Sequence, residues 1–128
     1  MILYLVRGLP GSGKSTYARN LGCFHVEADM FHVKNGVYQF DFTLAKLAHN
    51  WCLQTAWSAM ERGMDVVVSN TFTQKKEIEP YLGLADKSGH SVKIFSMAQN
   101  HASVHAVPEE VLTRMAERWE KIEGEDVV

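Results

Sequence analysis

The sequence predicts an α/β domain: three layers, α/β/α, around a mainly parallel sheet of about four to five strands. Three observations predict it. Four short runs rich in β-branched and large apolar side chains recur along the chain, at Ile2–Val6, Phe24–Glu27, Asp65–Ser69 and Ser91–Phe95. Between them lie stretches of helical character closed by glycines, an alternation that gives parallel strands joined by covering helices. The first run also leads straight into a glycine-rich loop, Gly8-Leu9-Pro10-Gly11-Ser12-Gly13-Lys14-Ser15, that opens a helix.

That loop satisfies the phosphate-loop pattern G-x-x-x-x-G-K-[ST], and its strand–loop–helix setting makes the fold a P-loop NTPase. A polyphosphate needs several N–H donors converging on it, so the backbone must wrap closely around the anion. Glycines at 8, 11 and 13 permit that approach. The helix that follows points its positive end at the phosphates. Gly8, Pro10, Gly11, Ser12, Gly13, Lys14, Ser15 and Thr16 are therefore assigned to ATP. Lys14 supplies a point charge for the β and γ oxygens, and the Ser15 hydroxyl is assigned to Mg²⁺.

In chain order, a helix from Ser15 to Asn20 stops at Gly22, and the second strand ends at Ala28-Asp29. Strand and turn character follows from Val33 to Phe40, with Asn35-Gly36 as the turn signal. Thr43 to Arg62 reads as a long helix with Leu44, Leu47, Ala48, Trp51, Thr55 and Ala59 near one face. Thr73 caps a helix through Lys87, expected to bend or restart at Pro80. Met97 to Val107 lacks periodicity. Pro108-Glu109-Glu110 opens a last helix to about Glu123, leaving 124–128 as a frayed tail after a single domain, 1–123.

The chain has 128 residues, 46% hydrophobic and 22% charged, an ordinary globular composition. Net charge −2 argues against a broad nucleic-acid-binding surface but leaves room for a groove holding a strand end. Cys23 and Cys52 lack metal-type spacing and read as reduced thiols. With no long apolar run, a cytoplasmic protein without a membrane segment is expected.

The right-handed crossover rule gathers the loops after the strands along one edge, so Asp29 and Ser69-Asn70-Thr71 should meet the phosphate loop. Asp29 is the first candidate for the carboxylate that accepts an acceptor hydroxyl's proton, competing with a helix-capping role; Glu27 is the reserve. The third strand ends at the Walker-B position without an acid, since Asp65 lies at its other end. Asn70 and Thr71 are left to bind a metal-bound water or the acceptor. A lid over the triphosphate usually brings arginine. The late loop has only His101 and His105, unsuited to zinc without a third ligand, so Arg114 and Arg118 on the last helix stand in as nucleotide ligands, against a solvated-face alternative. Trp51 and Trp57 read as core, and Tyr38 and Phe40 as a surface that could stack on an acceptor base.

With Arg7–Thr16, Glu27–Phe31, Tyr38–Asp41, Ala48-His49, Val67–Thr73 and Val104–Glu110 in view, together with Arg114-Met115 and Arg118–Glu120, the chain resembles phosphate-loop kinases related to the bacteriophage polynucleotide 5′-hydroxyl kinase. The resemblance covers about residues 1 to 122 and implies an ATP- and Mg²⁺-dependent kinase in which Asp29 activates a 5′-hydroxyl. It also places His32 where the family has an arginine for the acceptor phosphate, and Ala102 where it has the lid arginine. The acceptor implied is a polynucleotide 5′ end. A nucleotide-binding accessory or switch protein with little transfer activity and a kinase for a nucleoside or other small hydroxyl acceptor stay open as alternatives.

Overall fold

The computed structural model describes residues 1–98 and 107–128. In order, the chain forms β1 (Ile2–Arg7), α1 (Lys14–Asn20), β2 (Phe24–Val26), a 3-10 turn (Ala28–His32) and the hairpin strands β3 (Val33–Lys34) and β4 (Val37–Tyr38). A second 3-10 turn (Phe42–Leu44) leads into α2 (Ala45–Glu61), followed by β5 (Val66–Asn70), α3 (Lys75–Ser88), β6 (Ser91–Ser96), α4 (Glu109–Glu117) and β7 (Asp126–Val127). Five strands make one parallel sheet in the order β2-β5-β1-β6-β7. The predicted α/β class and strand number hold.

β5 explains why the sheet is covered on both faces. Its Val66 and Val68 join Leu3, Leu5 and Val26 in a core packed against Ala48, Cys52 and Ala56 of α2 and Ile78, Tyr81 and Ala85 of α3. Val67, between them, points the other way and meets Val6 and Ala18 of α1. An alternation in which both faces are apolar is what a central parallel strand requires. Tyr4, Tyr17 and Phe95 extend the second core, with Tyr17 edge-on to Phe95 at 5.3 Å. Trp51 and Trp57 pack partly buried against the first core, and Cys52 is buried and unbridged.

The stripe of α2 is rotated from the one expected. Ala48, Cys52, Ala56, Ala59 and Met60 are buried, whereas Leu47 is exposed. Small side chains on the inner face let the helix lie close to the sheet, and the larger residues flank it. Nor does Pro80 interrupt α3. Its missing N–H would have served the carbonyl of Lys76, and both residues lie on the exposed side, open to solvent. Gln74 and Thr73 close the start of α3, their N–H and hydroxyl donating to Glu77 Oε2 at 2.7 Å each. At the hairpin, Asn35 and Gly36 both take positive φ, 52° and 77°, the geometry of a two-residue turn matched to strand twist.

Two expectations at the C-terminus are corrected. The last helix stops at Glu117, short of Glu123, and 124–128 is not a frayed tail but carries β7, paired with Phe95 and Ser96. Arg7 is the cause. Its guanidinium is fully buried and donates to the carbonyls of Phe72 (2.9 and 2.8 Å), Thr73 (3.2 Å) and Glu120 (2.8 Å). It also pairs with Glu125 at 2.6 Å and lies under the Trp119 ring at 3.9 Å. A charge so placed needs a full set of partners, and the segment after α4 supplies three of them. The same bonds secure Phe72 at φ 44°, a left-handed conformation uncommon for a bulky residue.

Candidate nucleotide-binding site

The loop between β1 and α1 is wound tightly on itself. Gly11 and Gly13 hold φ of 82° and 87°, which side chains resist. Gly8 is buried; a Cβ there would collide with the Ser12 hydroxyl and come within 3.0 Å of Met97 Cβ. Ser12 Oγ is itself buried without a hydrogen-bond partner among the described residues. A buried unpartnered hydroxyl beside a glycine that admits no side chain, at the start of a helix with no acid in its first turn, is a cradle for an anion. Lys14 is half-buried beside it. Desolvation lowers its pKa, while the charges of Asp29 and Glu27 act in the opposite sense. Thr16 is exposed and accepts from Arg19 at 3.3 Å.

Around Ser15 lies a network that the sequence reading left unassembled. Glu27 Oε2 accepts from Ser15 Oγ at 2.8 Å and from Ser69 Oγ at 2.7 Å. His25 Nε2 is 2.8 Å from the same Ser69 Oγ and 3.7 Å from Glu27 Oε2. Burial pushes the His25 pKa down, and Arg19 does so further, against the pull of Glu27. The signal was present in the His25–Glu27 spacing, which puts both side chains on one strand face next to the end of β5. A hydroxyl and a carboxylate are hard oxygen donors, so this corner fits Mg²⁺. Among the described residues no group of three metal-binding side chains gathers, so a cation here depends on the nucleotide for most of its ligands.

Asp29, the candidate base, is exposed in the first turn of the 3-10 segment and close enough to Lys14 for its charge to be felt there. Asn70 supports it from below: Oδ1 accepts from the Ala28 N–H at 2.9 Å and Nδ2 donates to Cys52 Sγ at 3.6 Å. Buried with one bond at each end of its amide, Asn70 holds the backbone just before Asp29. Thr71 lends its carbonyl to the Gly8 N–H at 3.3 Å, tying the end of β5 to the loop.

His32, placed by resemblance at an acceptor-phosphate position, is 3% exposed and boxed by Phe31, Tyr38 and Phe40, the last ring at 4.9 Å. Tyr38 and Phe40 lie near parallel, 22° apart with centroids 6.4 Å from each other, and both are more than half exposed. Burial, then the nearby Asp29 carboxylate, raise the Tyr38 pKa. Beside the hairpin is a cleft of about 400 Å³ whose lining includes Phe40, Phe42, His32 and Lys34.

Arg114 and Arg118 are not drawn to the loop. Arg114 Nε donates to the Glu110 carbonyl of its own helix at 3.4 Å, and Arg118 Nε to Thr73 Oγ1 at 3.2 Å. Among the described residues neither bonds to the phosphate loop. The expected lid, with Ala102, His101 and His105, lies outside the described residues.

A phosphate loop set between the first strand and first helix of a parallel sheet defines the P-loop NTPase fold. More narrowly, a family model described as an AAA domain matches residues 3–122, and the chain belongs to that family. NEDD4-binding protein 2 of Homo sapiens is 34% identical over 137 residues, taking in 94% of this chain but 8% of its own length. In structure the chain is similar to a sugar kinase from Janibacter sp. HTCC2649, with TM-score 0.70 and 16% identity over 100% of this chain and 84% of that one. It is also similar to a chain of a Pnkp1/Rnl/Hen1 complex, with TM-score 0.60 and 17% identity over 88% of this chain and 38% of that one. No helix among the described residues is long and apolar enough to cross a membrane.

Proposed function

We propose that the chain is an ATP-dependent phosphotransferase that moves the γ-phosphate to an acceptor hydroxyl, with a polynucleotide 5′-hydroxyl as the leading acceptor. The observation that carries it is the anion cradle itself, where Gly8 admits no side chain beside the buried, unpartnered Ser12 hydroxyl at the start of the helix that carries Lys14. Gly8 to Thr16 hold the phosphates, and Lys14 neutralises charge on the β and γ oxygens. Asp29 removes the acceptor's proton as its oxygen bonds to the γ-phosphorus. The bond from that phosphorus to the bridging oxygen breaks, and ADP leaves with the electron pair. Mg²⁺, held through Ser15, would offset phosphate charge when bound.

The exposed pair Tyr38 and Phe40, with Lys34 close by, supports an acceptor that has a flat base and a phosphate. The match to the Pnkp1 complex is consistent with that choice, although a sugar kinase shares the same fold, so the fold by itself leaves the acceptor open. The test offers γ-labelled ATP with 5′-hydroxyl DNA, 5′-hydroxyl RNA, nucleosides and sugars. Label should pass fastest to a 5′-hydroxyl oligonucleotide. Transfer confined to sugars or nucleosides would replace the acceptor, and transfer to none would leave a nucleotide-binding accessory protein, which the lack of an acid at the Walker-B position favours.

A further inference from the structure

We propose that Glu27, just past the end of β2, takes over the task of the acid missing from the end of β5. It accepts a hydrogen bond from the Ser15 hydroxyl and so turns that oxygen's lone pair toward the divalent cation that accompanies a nucleotide. The inference rests on the nucleotide-binding reading above and gives it a metal-positioning residue.

A serine hydroxyl has one proton and two lone pairs, and it serves a cation well only when the proton is directed elsewhere. At 2.8 Å, Glu27 Oε2 is where the Ser15 proton goes. The carboxylate is in turn fixed. Ser69 donates its single proton to the same oxygen at 2.7 Å, so the 2.8 Å contact between His25 Nε2 and Ser69 Oγ requires the histidine to be the donor. That places a ring proton on Nε2, the nitrogen that faces Ser69. His25, Ser69 and Glu27 thus form a directed relay ending on the acid beside Ser15.

The topology makes the substitution possible. β2 is the neighbour of β5 in the sheet, with Val26 opposite Val68, so the residue after Val26 emerges beside Ser69. Other groups are otherwise placed. Asp65 is bonded to the Ile2 N–H at the far end of β5, Asn70 is a neutral amide held to the Ala28 N–H, and Asp29 lies exposed with no bond to Ser15. A carboxylate that orients a ligand while the nucleotide supplies other oxygens is the usual setting for protein-bound Mg²⁺.

The test is calorimetric binding of ADP to the full chain, in EDTA and in Mg²⁺, for wild type, Glu27→Gln, Ser15→Ala and Asp29→Asn. Wild type should bind more tightly with Mg²⁺. Glu27→Gln should lose about 10-fold or more of that gain. In EDTA it should bind ADP as well as wild type or better, because a negative charge near the phosphates has gone. Ser15→Ala, which leaves the acid in place, should lose the gain likewise, and Asp29→Asn should keep it. A Mg²⁺ gain retained in Glu27→Gln, absent from wild type, or lost only in Asp29→Asn overturns the proposal. So does an equal loss with and without Mg²⁺, which would make Glu27 merely structural. If Glu27→Gln does not fold, Glu27→Asp, whose carboxylate stops short of Ser15, takes its place: it should lose the gain, and a gain retained overturns the proposal. Wild type that binds no ADP in either condition overturns the nucleotide reading itself, whereas absence of phosphoryl transfer leaves the Glu27 assignment standing.

Discussion

At the scale of single residues, the strongest statement concerns Gly8. Its neighbours leave no room for a methyl group, and the nearest of them is the hydroxyl of Ser12, buried and unpartnered. Gly8→Ala should therefore reduce ATP affinity by about 10-fold or more, equivalent to ~1.4 kcal/mol, through a cradle pushed open. Titration of ATP followed by calorimetry checks it, and unchanged affinity would remove the cradle assignment. Lys14→Ala should weaken ATP binding and abolish transfer together, since one charge serves both. The phosphate loop could be read from residue types because its chemistry is local: glycines, a lysine and a hydroxyl in fixed register. Glu27 could not be given its role in that way. Its significance depends on Ser15 and Ser69, 12 and 42 residues away in sequence.

Among the elements, β2 and the hairpin carry the next predictions. His25 on β2 has its pKa depressed below the ordinary 6.5, mainly by burial. The unfolded chain therefore takes up a proton first as pH falls, so this histidine lowers stability progressively below about pH 6.5 and costs nothing well above it. Thermal melts of His25→Gln against wild type should differ in pH dependence, the variant losing less stability than wild type between about pH 7 and 5. An identical slope would contradict the sign of the shift. On the hairpin, Tyr38→Ala should raise KM for a base-bearing acceptor by roughly 10-fold, with ATP affinity unchanged. Asn35-Gly36 announced that turn in the sequence, whereas the boxed position of His32 did not show itself, since it depends on rings that fold back from β4 and beyond. In α2 the periodicity was correct and the face only rotated: Ala48 and Ala59 sit inward as expected, joined by Cys52 and Ala56, because close approach to the sheet matters there more than side-chain size.

For the whole molecule, strand alternation was enough to give the parallel sheet, its strand number and the edge where the site forms. The closing segment was hidden because it depends on one buried charge. Arg7 joins β1, the turn after β5 and the chain beyond α4, and nothing in residues 118–128 advertises strand character without it. Arg7→Ala strands Glu125 and several carbonyls, and should cost about 3–5 kcal/mol in denaturant unfolding; a loss below about 1 kcal/mol would mean that the C-terminal segment is not so anchored. The central claim is that this small P-loop domain transfers phosphate with Asp29 as the base. Its most direct test is transfer of γ-label to a 5′-hydroxyl oligonucleotide by wild type and Asp29→Asn, with ATP binding measured on the same samples. Wild type should transfer, and Asp29→Asn should be slower by about 100-fold or more at unchanged ATP affinity. Equal transfer by the two proteins would contradict the account.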